Sequence, residues 1–381
     1  MKIAFLTPEY PHSKTGNSGG IGTGIKNLAQ ALAERDLQPS VLIYGQQSDY
    51  FFQEDGIDFY GIKNVKLKGL SWFLTRKKIQ KRINELYAEK KIDVVEAPDW
   101  TGITSFINVK CPIVIRENGS DTYFCHLDGR KVKFKNFFHE RRALRKADSV
   151  IAVSQFTGDL TNQLFKLKRN FTVIPNSINS THFNIVPKQN DNQRILYFGS
   201  LIRKKGLLEL PLIFNQVVAM NPDAELMLIG KDVPDIMSGN ASTWEMMRGL
   251  FSAEAFKKVS YIGPKSYDEV GSYIATAVVC VFPSFAEALP VSWLEAMSMG
   301  KAIVASDIGW ANEMITDGQS GFLVHPNNHK LFAEKINILL QNRLILDTFG
   351  CAARQRIEDY FSTIVVVEKN IAFYKDVTHE T

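Results

Sequence analysis

The chain reads as an α/β protein of two Rossmann-like domains, each a parallel sheet with helices on both faces, facing each other across a cleft. Three observations carry that expectation. Short apolar, β-branched runs alternate with amphipathic stretches along the whole chain, as in a parallel sheet wrapped by helices. At 381 residues, 45% of them apolar and 22% charged, the chain is longer than one core usually serves. A polar bridge at residues 176–193, containing Pro187 and few large apolar side chains, separates two such series. The boundary is placed there, with a first domain over 1–178 and a second over 179–359.

In the first series, strands are expected at residues 2–6, 40–44, 93–96, 113–116, 149–153 and 172–174. The opening MKIAFL has one Lys and five apolar positions, too few for a signal-peptide core, and reads as a buried strand. It leads to Ser18-Gly19-Gly20-Ile21-Gly22-Thr23-Gly24 and then to a helical stretch, and such glycines let a backbone approach a ligand closely. A dinucleotide fingerprint would read G-x-G-x-x-G with an acid after the second strand. Here Tyr44-Gly45-Gln46 stands at that place, which disfavours a dehydrogenase. The strand at 93–96 ends in Pro98-Asp99-Trp100, and the strand at 113–116 in Glu117-Asn118-Gly119-Ser120-Asp121. Ligands of such sheets bind beyond the carboxyl ends of the strands, so Asp99, Asn118 and Asp121 become acceptor-side candidates. For Asp99 a structural cap is the competing reading. Ser154 and Asn176, which also follow strands, read as mainly structural.

Strands of the second series are expected at 194–198, 225–229, 259–262, 278–282, 301–305 and 321–324. After the first of them comes Gly199-Ser200-Leu201-Ile202-Arg203-Lys204-Lys205-Gly206, then a helix. A strand, a glycine, a basic loop and a helix start form a phosphate-binding layout. After the strand at 278–282 comes Pro283-Ser284-Phe285-Ala286-Glu287-Ala288-Leu289-Pro290, and Pro290 suits the first turn of the next helix. Glu287 then sits in the loop and Glu295 about a turn and a half inside that helix. The N–H groups and positive dipole end between them would seat a phosphate, with a hydroxyl acceptor on either side. A nucleotide-sugar has hydroxyls on both sides of a diphosphate.

Charge and cysteines narrow the classes. The formal net charge is +5, unevenly placed: residues 1–175 carry 27 basic against 18 acidic side chains, the remainder 18 against 22. The excess lies in residues 63–91, beside Trp72, Phe73 and Leu74, and in residues 130–146, around Phe134, Phe137 and Phe138. Basic residues interleaved with aromatics suit an anionic membrane surface, and the competing reading is a solvated helix face. No base-reading module accompanies the charge, so nucleic acid is not an expected partner. Cys111, Cys125, Cys280 and Cys351 are scattered, which argues for a reducing cytoplasm and against a zinc site. His12, His126, His139, His182, His325 and His329 show no ligand spacing. No apolar stretch approaches the roughly 20 residues needed to cross a bilayer.

The segment EALPVSWLEAMSMGKAIVASDIG resembles the Glu-x7-Glu motif of retaining family-4 glycosyltransferases of the GT-B fold, and the likeness extends over nearly the whole chain. The resemblance implies that Glu287 holds the donor sugar and Glu295 the nucleotide ribose, with Ala288, Leu289 and Pro290 around the diphosphate. It sets Gly199 to Gly206 against the family's Gly-Arg-x4-Lys-Gly segment. Lys205 takes the place of the Lys, but Ser200 stands where the Arg is usual, and Arg203 or Lys204 could compensate from the same loop. Gly19 and Gly20 match the turn that approaches diphosphate and acceptor. Asn118 replaces a His near the transferred sugar and cannot titrate near neutral pH. Residues 360–381 look like the helix that crosses back to the first domain.

The expected activity is therefore transfer of a hexosyl unit, with retention, from a nucleotide-diphosphate sugar to an acceptor hydroxyl, in cell-surface glycan or glycolipid assembly. Glu287, Lys205 and Asn118 are the expected catalytic residues, and Gly19, Gly20, Gly199, Ser200, Arg203, Lys205, Glu287, Ala288, Leu289, Pro290 and Glu295 the donor-binding set. No cofactor and no metal are called for. Expected partners are the nucleotide-sugar, a glycan or lipid-linked acceptor and an anionic membrane surface. The expected location is cytoplasmic, peripheral on the inner face of the membrane. A nucleotide-sugar epimerase of the same fold, a soluble storage-sugar synthase and a non-catalytic nucleotide-sugar binder are the alternatives, the last motivated by Ser200 and Asn118.

Overall fold

The computed structural model describes residues 1–16, 18–185 and 193–379. Within the bridge expected between the domains, Pro187 lies outside the described residues. The chain divides into two compact units, Met1–Ser177 with Thr363–Thr381, and Ile178–Ser362.

The first unit holds β1 (Ile3–Thr7), β2 (Ser40–Gln46), β3 (Tyr50–Glu54), β4 (Ile57–Lys63), β5 (Val94–Pro98), β6 (Ile113–Glu117), β7 (Ser149–Ala152) and β8 (Thr172–Val173). Its helices here are α1 (Gly20–Ala33), α2 (Ser71–Ala88), α3 (Asp121–Leu127), α4 (Phe134–Lys146) and α5 (Gln155–Phe165). The sheet order is β3-β4-β2-β1-β5-β6-β7-β8. Alternate residues of each strand serve opposite faces. Ile3, Phe5, Val41 and Ile43 join α1 on one face, whereas Ala4, Leu6 and Leu42 join Ile79 and Ile83 of α2 on the other. Each Ile, Leu, Val or Phe among them contributes about 1.5–3 kcal/mol by leaving water.

All pairs in this sheet are parallel except β3 with β4, which is antiparallel. The all-parallel expectation fails at this edge. Asp55 and Gly56 both take positive φ (50° and 74°), the requirement of a two-residue hairpin turn. The Asp-Gly pair was the local signal, in a stretch whose apolar pattern is too weak to mark strands.

The second unit holds β9 (Arg194–Phe198), β10 (Glu225–Ile229), β11 (Val259–Gly263), β12 (Val279–Phe282), β13 (Ala302–Ser306) and β14 (Phe322–Val324). Its helices are α6 (Leu210–Met220), α7 (Thr243–Arg248), α8 (Ala253–Phe256), α9 (Tyr267–Thr276), α10 (Val291–Ser298), α11 (Ala311–Met314), α12 (His329–Gln341) and α13 (Arg343–Arg356). The order β11-β10-β9-β12-β13-β14 is parallel throughout. Winding runs one way from β9 to β11 and the other from β12 to β14. The carboxyl ends of β9 and β12 therefore flank a topological switch point, where a sheet of this kind opens a crevice. In the first unit, β1 and β5 flank the corresponding point.

The last helix, α14 (Thr363–His379), belongs to the first unit and begins three residues after the expected start of the returning segment. Val366, Val367, Tyr374 and Val377 enter the core beside Ile3 and Phe5. A buried polar network fixes it. Arg116 of β6 donates to both carboxylate oxygens of Glu96 in β5 (2.7 and 2.9 Å), to Asn370 Oδ1 (2.5 Å) and to the Ile174 carbonyl (3.3 Å). Tyr374 donates to Glu96 Oε2 at 2.6 Å. Deleting one partner of such a buried pair costs about 3–5 kcal/mol. Among the described residues, no helix is long and apolar enough to cross a membrane.

Candidate functional site

In the second unit the two sequence-derived segments meet at the switch point. The loop after β9 folds into a 3₁₀ turn, Arg203–Lys205, whose Lys204 carbonyl accepts from the main-chain N–H groups of Phe285 (2.8 Å) and Ala286 (3.2 Å). Gly206 closes the turn at φ +71°, and a Cβ there would lie 1.8 Å from the Pro283 carbonyl oxygen. Only glycine permits that approach. Loops 199–206 and 283–290 are thereby locked edge to edge.

Across this contact Lys205 Nζ reaches Glu287 Oε1 at 2.8 Å, and Ser284 Oγ lies 3.4 Å from the same oxygen. Glu287 is 8% exposed and Glu295, within α10, 7%. Burial pushes the Glu295 carboxyl up to about 8, against the opposing pull of Lys205. Pro290 stands at the cap position just before α10, one place earlier than a first-turn residue. Ala288 and Leu289 are buried beside it. Gly199 takes φ +138°, and the Ser200 carbonyl accepts from Tyr197 Oη at 3.0 Å, leaving the Ser200 side chain at the surface.

Arg203 is committed elsewhere. Its guanidinium forks onto Asp235 (2.9 and 2.7 Å), a residue 2% exposed in the loop after β10. Ser238 donates its hydroxyl and its N–H to the same carboxylate. The Arg203 contact holds the Asp235 carboxyl well below the usual carboxylate range. With the Arg203 side chain about a third exposed, solvent screens the pair, and its loss costs less than the about 3–5 kcal/mol of a fully buried pair.

In the first unit, Asp99 follows β5 and Asn118 follows β6, as expected. Asp99 is fully buried, so it offers an acceptor no surface. Its Oδ1 accepts from the Asn118 N–H at 3.1 Å, which ties the ends of β5 and β6 together, and its side chain makes no cap to the turn Trp100–Gly102. Burial, with Glu140 nearby, pushes its carboxyl up to about 8. Glu117 beside it is also buried and raised well above the ordinary range. Asn118 remains partly exposed, its Nδ2 directed to the Arg116 carbonyl at 3.5 Å. Asp121 opens α3 and accepts from Asn136 Nδ2 at 2.8 Å. Glu140 of α4, unremarked in the sequence, receives the N–H groups of Thr101, Asp121 and Thr122 and the Thr122 hydroxyl, and so fixes both strand-end loops.

Gly19 caps α1 and Gly20 begins it. Glu9, in the loop after β1, accepts from the Gly22 N–H at 3.2 Å. A carboxylate of the chain itself thus meets the positive end of α1, at the turn that the family resemblance sets against diphosphate and acceptor.

The two basic runs converge on one surface of the first unit. Trp72 of α2 contacts Phe106 and His139, and Phe106 contacts Phe138. Lys135 lies over Trp72, and Arg142 over Phe106. Phe134 is 81% exposed and Phe138 43%. Burial, with Arg76, Lys135 and Arg142, pushes the His139 imidazole down to about 4.

Residues 179–356 match the family described as Glycosyl transferases group 1, and residues 18–182 match Glycosyltransferase Family 4. An uncharacterized glycosyltransferase of Methanocaldococcus jannaschii is 23% identical over 92% of this chain and 91% of its own. Among solved structures, sucrose-phosphate synthase of Thermosynechococcus elongatus superposes with a TM-score of 0.81 over all of both chains, at 17% identity. HepE of Anabaena, solved in complex with UDP-glucose, superposes with a TM-score of 0.74 over 99% of this chain and 100% of its own, at 19% identity.

Proposed function

Because the chain belongs to the GT-B glycosyltransferases of the family 4 type, we propose that it moves a hexosyl unit, with retention, from a nucleotide-diphosphate sugar to an acceptor hydroxyl. The observation that supports this most is the Lys205–Glu287 contact at the switch point of the second unit, with Glu295 buried one helical stretch away. Lys205 and the start of α10 meet charge developing on the departing diphosphate, the electrostatic contribution that usually dominates such transfers. Glu287 accepts hydrogen bonds from the sugar hydroxyls and Glu295 from the ribose. The bond from the anomeric carbon to the phosphate oxygen breaks as the bond to the acceptor oxygen forms. The acceptor proton passes to the departing phosphate on the same face, so Asn118 need only orient the reacting groups. This reading calls for no metal and no resident cofactor.

For the acceptor we favour a glycan or lipid-linked molecule presented at an anionic membrane surface, in cell-surface glycan or glycolipid assembly. The support is the aromatic, basic face around Trp72, Phe134 and Phe138. The test is to incubate the chain with UDP- and GDP-hexoses and lipid-linked or soluble glycans, then read the anomeric configuration of the product. An α-linked product from an α-linked donor is expected. Inversion, or interconversion of the donor sugar without transfer, would overturn the proposal.

A further inference from the structure

Resting on the donor reading of the second unit, we infer that Asp235 withholds Arg203 from the diphosphate seat, so that this donor loop works with one cation fewer than its sequence displays. Two independent observations meet here. Ser200 occupies the place where the family pattern has an arginine, and its side chain contributes no charge. Arg203, the arginine nearest in sequence, is forked onto a carboxylate that is almost wholly buried and further held by Ser238.

The pair is built to persist. The fork uses Nε and Nη2 of Arg203, and the Asp235 carboxylate neutralises the guanidinium charge at close range, although Nη1 stays outside the fork. Turning Arg203 toward a diphosphate would leave the Asp235 charge to the two hydrogen bonds of Ser238 alone. The same staple joins the donor loop to the loop after β10, where Leu201 N–H donates to the Lys231 carbonyl (2.8 Å) and Val233 N–H to the Leu201 carbonyl (3.2 Å). Arg203 is therefore a positioning residue, and Asp235 sets how much positive charge the seat presents. A seat of reduced charge leans more on the sugar and ribose contacts of Glu287 and Glu295, which sharpens selection among nucleotide-sugars at the expense of overall affinity.

The test measures dissociation constants of the full chain for UDP, GDP and inorganic pyrophosphate at several salt concentrations. Asp235→Asn should bind about tenfold tighter than the natural chain, with a steeper weakening as salt is added. Adding Arg203→Ala to that variant should return the affinity to its starting level. Ser200→Arg is the control for a seat that responds to added charge, and should also bind tighter. A folded Asp235→Asn that binds no better, or a Ser200→Arg that changes nothing, overturns the inference while leaving the donor reading standing. If neither the natural chain nor Ser200→Arg binds any probe, the donor reading itself falls and the inference with it. Should Asp235→Asn fail to fold, the Arg203 Nε–H resonance of the natural chain decides. A resonance unmoved by saturating UDP and GDP supports the inference, and one that shifts on binding overturns it.

Discussion

Lys205 Nζ and Glu287 Oε1 lie 2.8 Å apart, joining a loop that follows β9 to one that follows β12. A cation and a carboxylate from two strand ends thus share one point at the reversal of the sheet, where phosphate and sugar hydroxyls would replace their mutual contact. Replacing Glu287 by Ala should abolish transfer while leaving UDP or GDP binding largely intact. Lys205→Ala should lower turnover by about 10²–10³-fold. Product assays with parallel calorimetry check both, and unchanged turnover in Glu287→Ala would remove that residue from the site.

The buried Asp99 gives a pH dependence of defined sign. Its ordinary value is 3.8 and its folded value about 8, so the folded chain keeps a proton that the unfolded chain has already released. Stability from this group is full below about pH 4 and is lost as pH rises toward 8. Asp99→Asn keeps an oxygen for the Asn118 N–H and removes the titration. Its melting temperature should gain on that of the natural chain between about pH 5 and pH 8, and parallel curves would show that Asp99 does not titrate in this range.

Arg116 anchors α14 through Asn370 and shares Glu96 with Tyr374. Arg116→Ala should therefore destabilise the first unit by about 3–5 kcal/mol, and Tyr374→Phe by about 1–3 kcal/mol. Urea unfolding gives the magnitudes. Hydrogen exchange should show α14 losing protection ahead of β1 and β5, and uniform loss would indicate that the network supports the whole sheet equally.

The aromatic, basic face predicts sedimentation with anionic vesicles. Basic residues near such a surface contribute about 1 kcal/mol each, so reversing Lys135 and Arg142 together to Glu should weaken partitioning by at least about tenfold. Added salt should weaken the natural chain in the same direction. Absent or salt-insensitive sedimentation would count against the membrane part of the proposed function.

Much of the scaffold was legible because parallel strands are buried on both faces and read as short apolar runs. The strands Arg194–Phe198 and Glu225–Ile229 were bounded without error, and the other expected ones within two residues. The β3–β4 hairpin escaped because its strands mix Gln53, Glu54 and Asp58 with aromatics and show neither pattern cleanly. At the site, the two glutamates stand out by their spacing around a helix start, whereas Lys205 is singled out of its basic loop by the family resemblance. The partnership of Arg203 with Asp235 was not legible, since it joins loops 32 positions apart and has no periodic signature. Glu96 and Arg116 sit inside runs that read as strand, and their pairing with a helix 254 positions away is set only by tertiary packing.

That distant helix also dictates an order of events during synthesis. The first unit's core counts Val366, Val367 and Tyr374 among its buried members, together with Ile3 and Phe5 from the opening strand. A ribosome that has delivered residues 1–177 has made a sheet whose α1-covered face is still wet where the last helix will lie. Residues 178–362 must emerge before the covering helix does, so the half translated first is completed last.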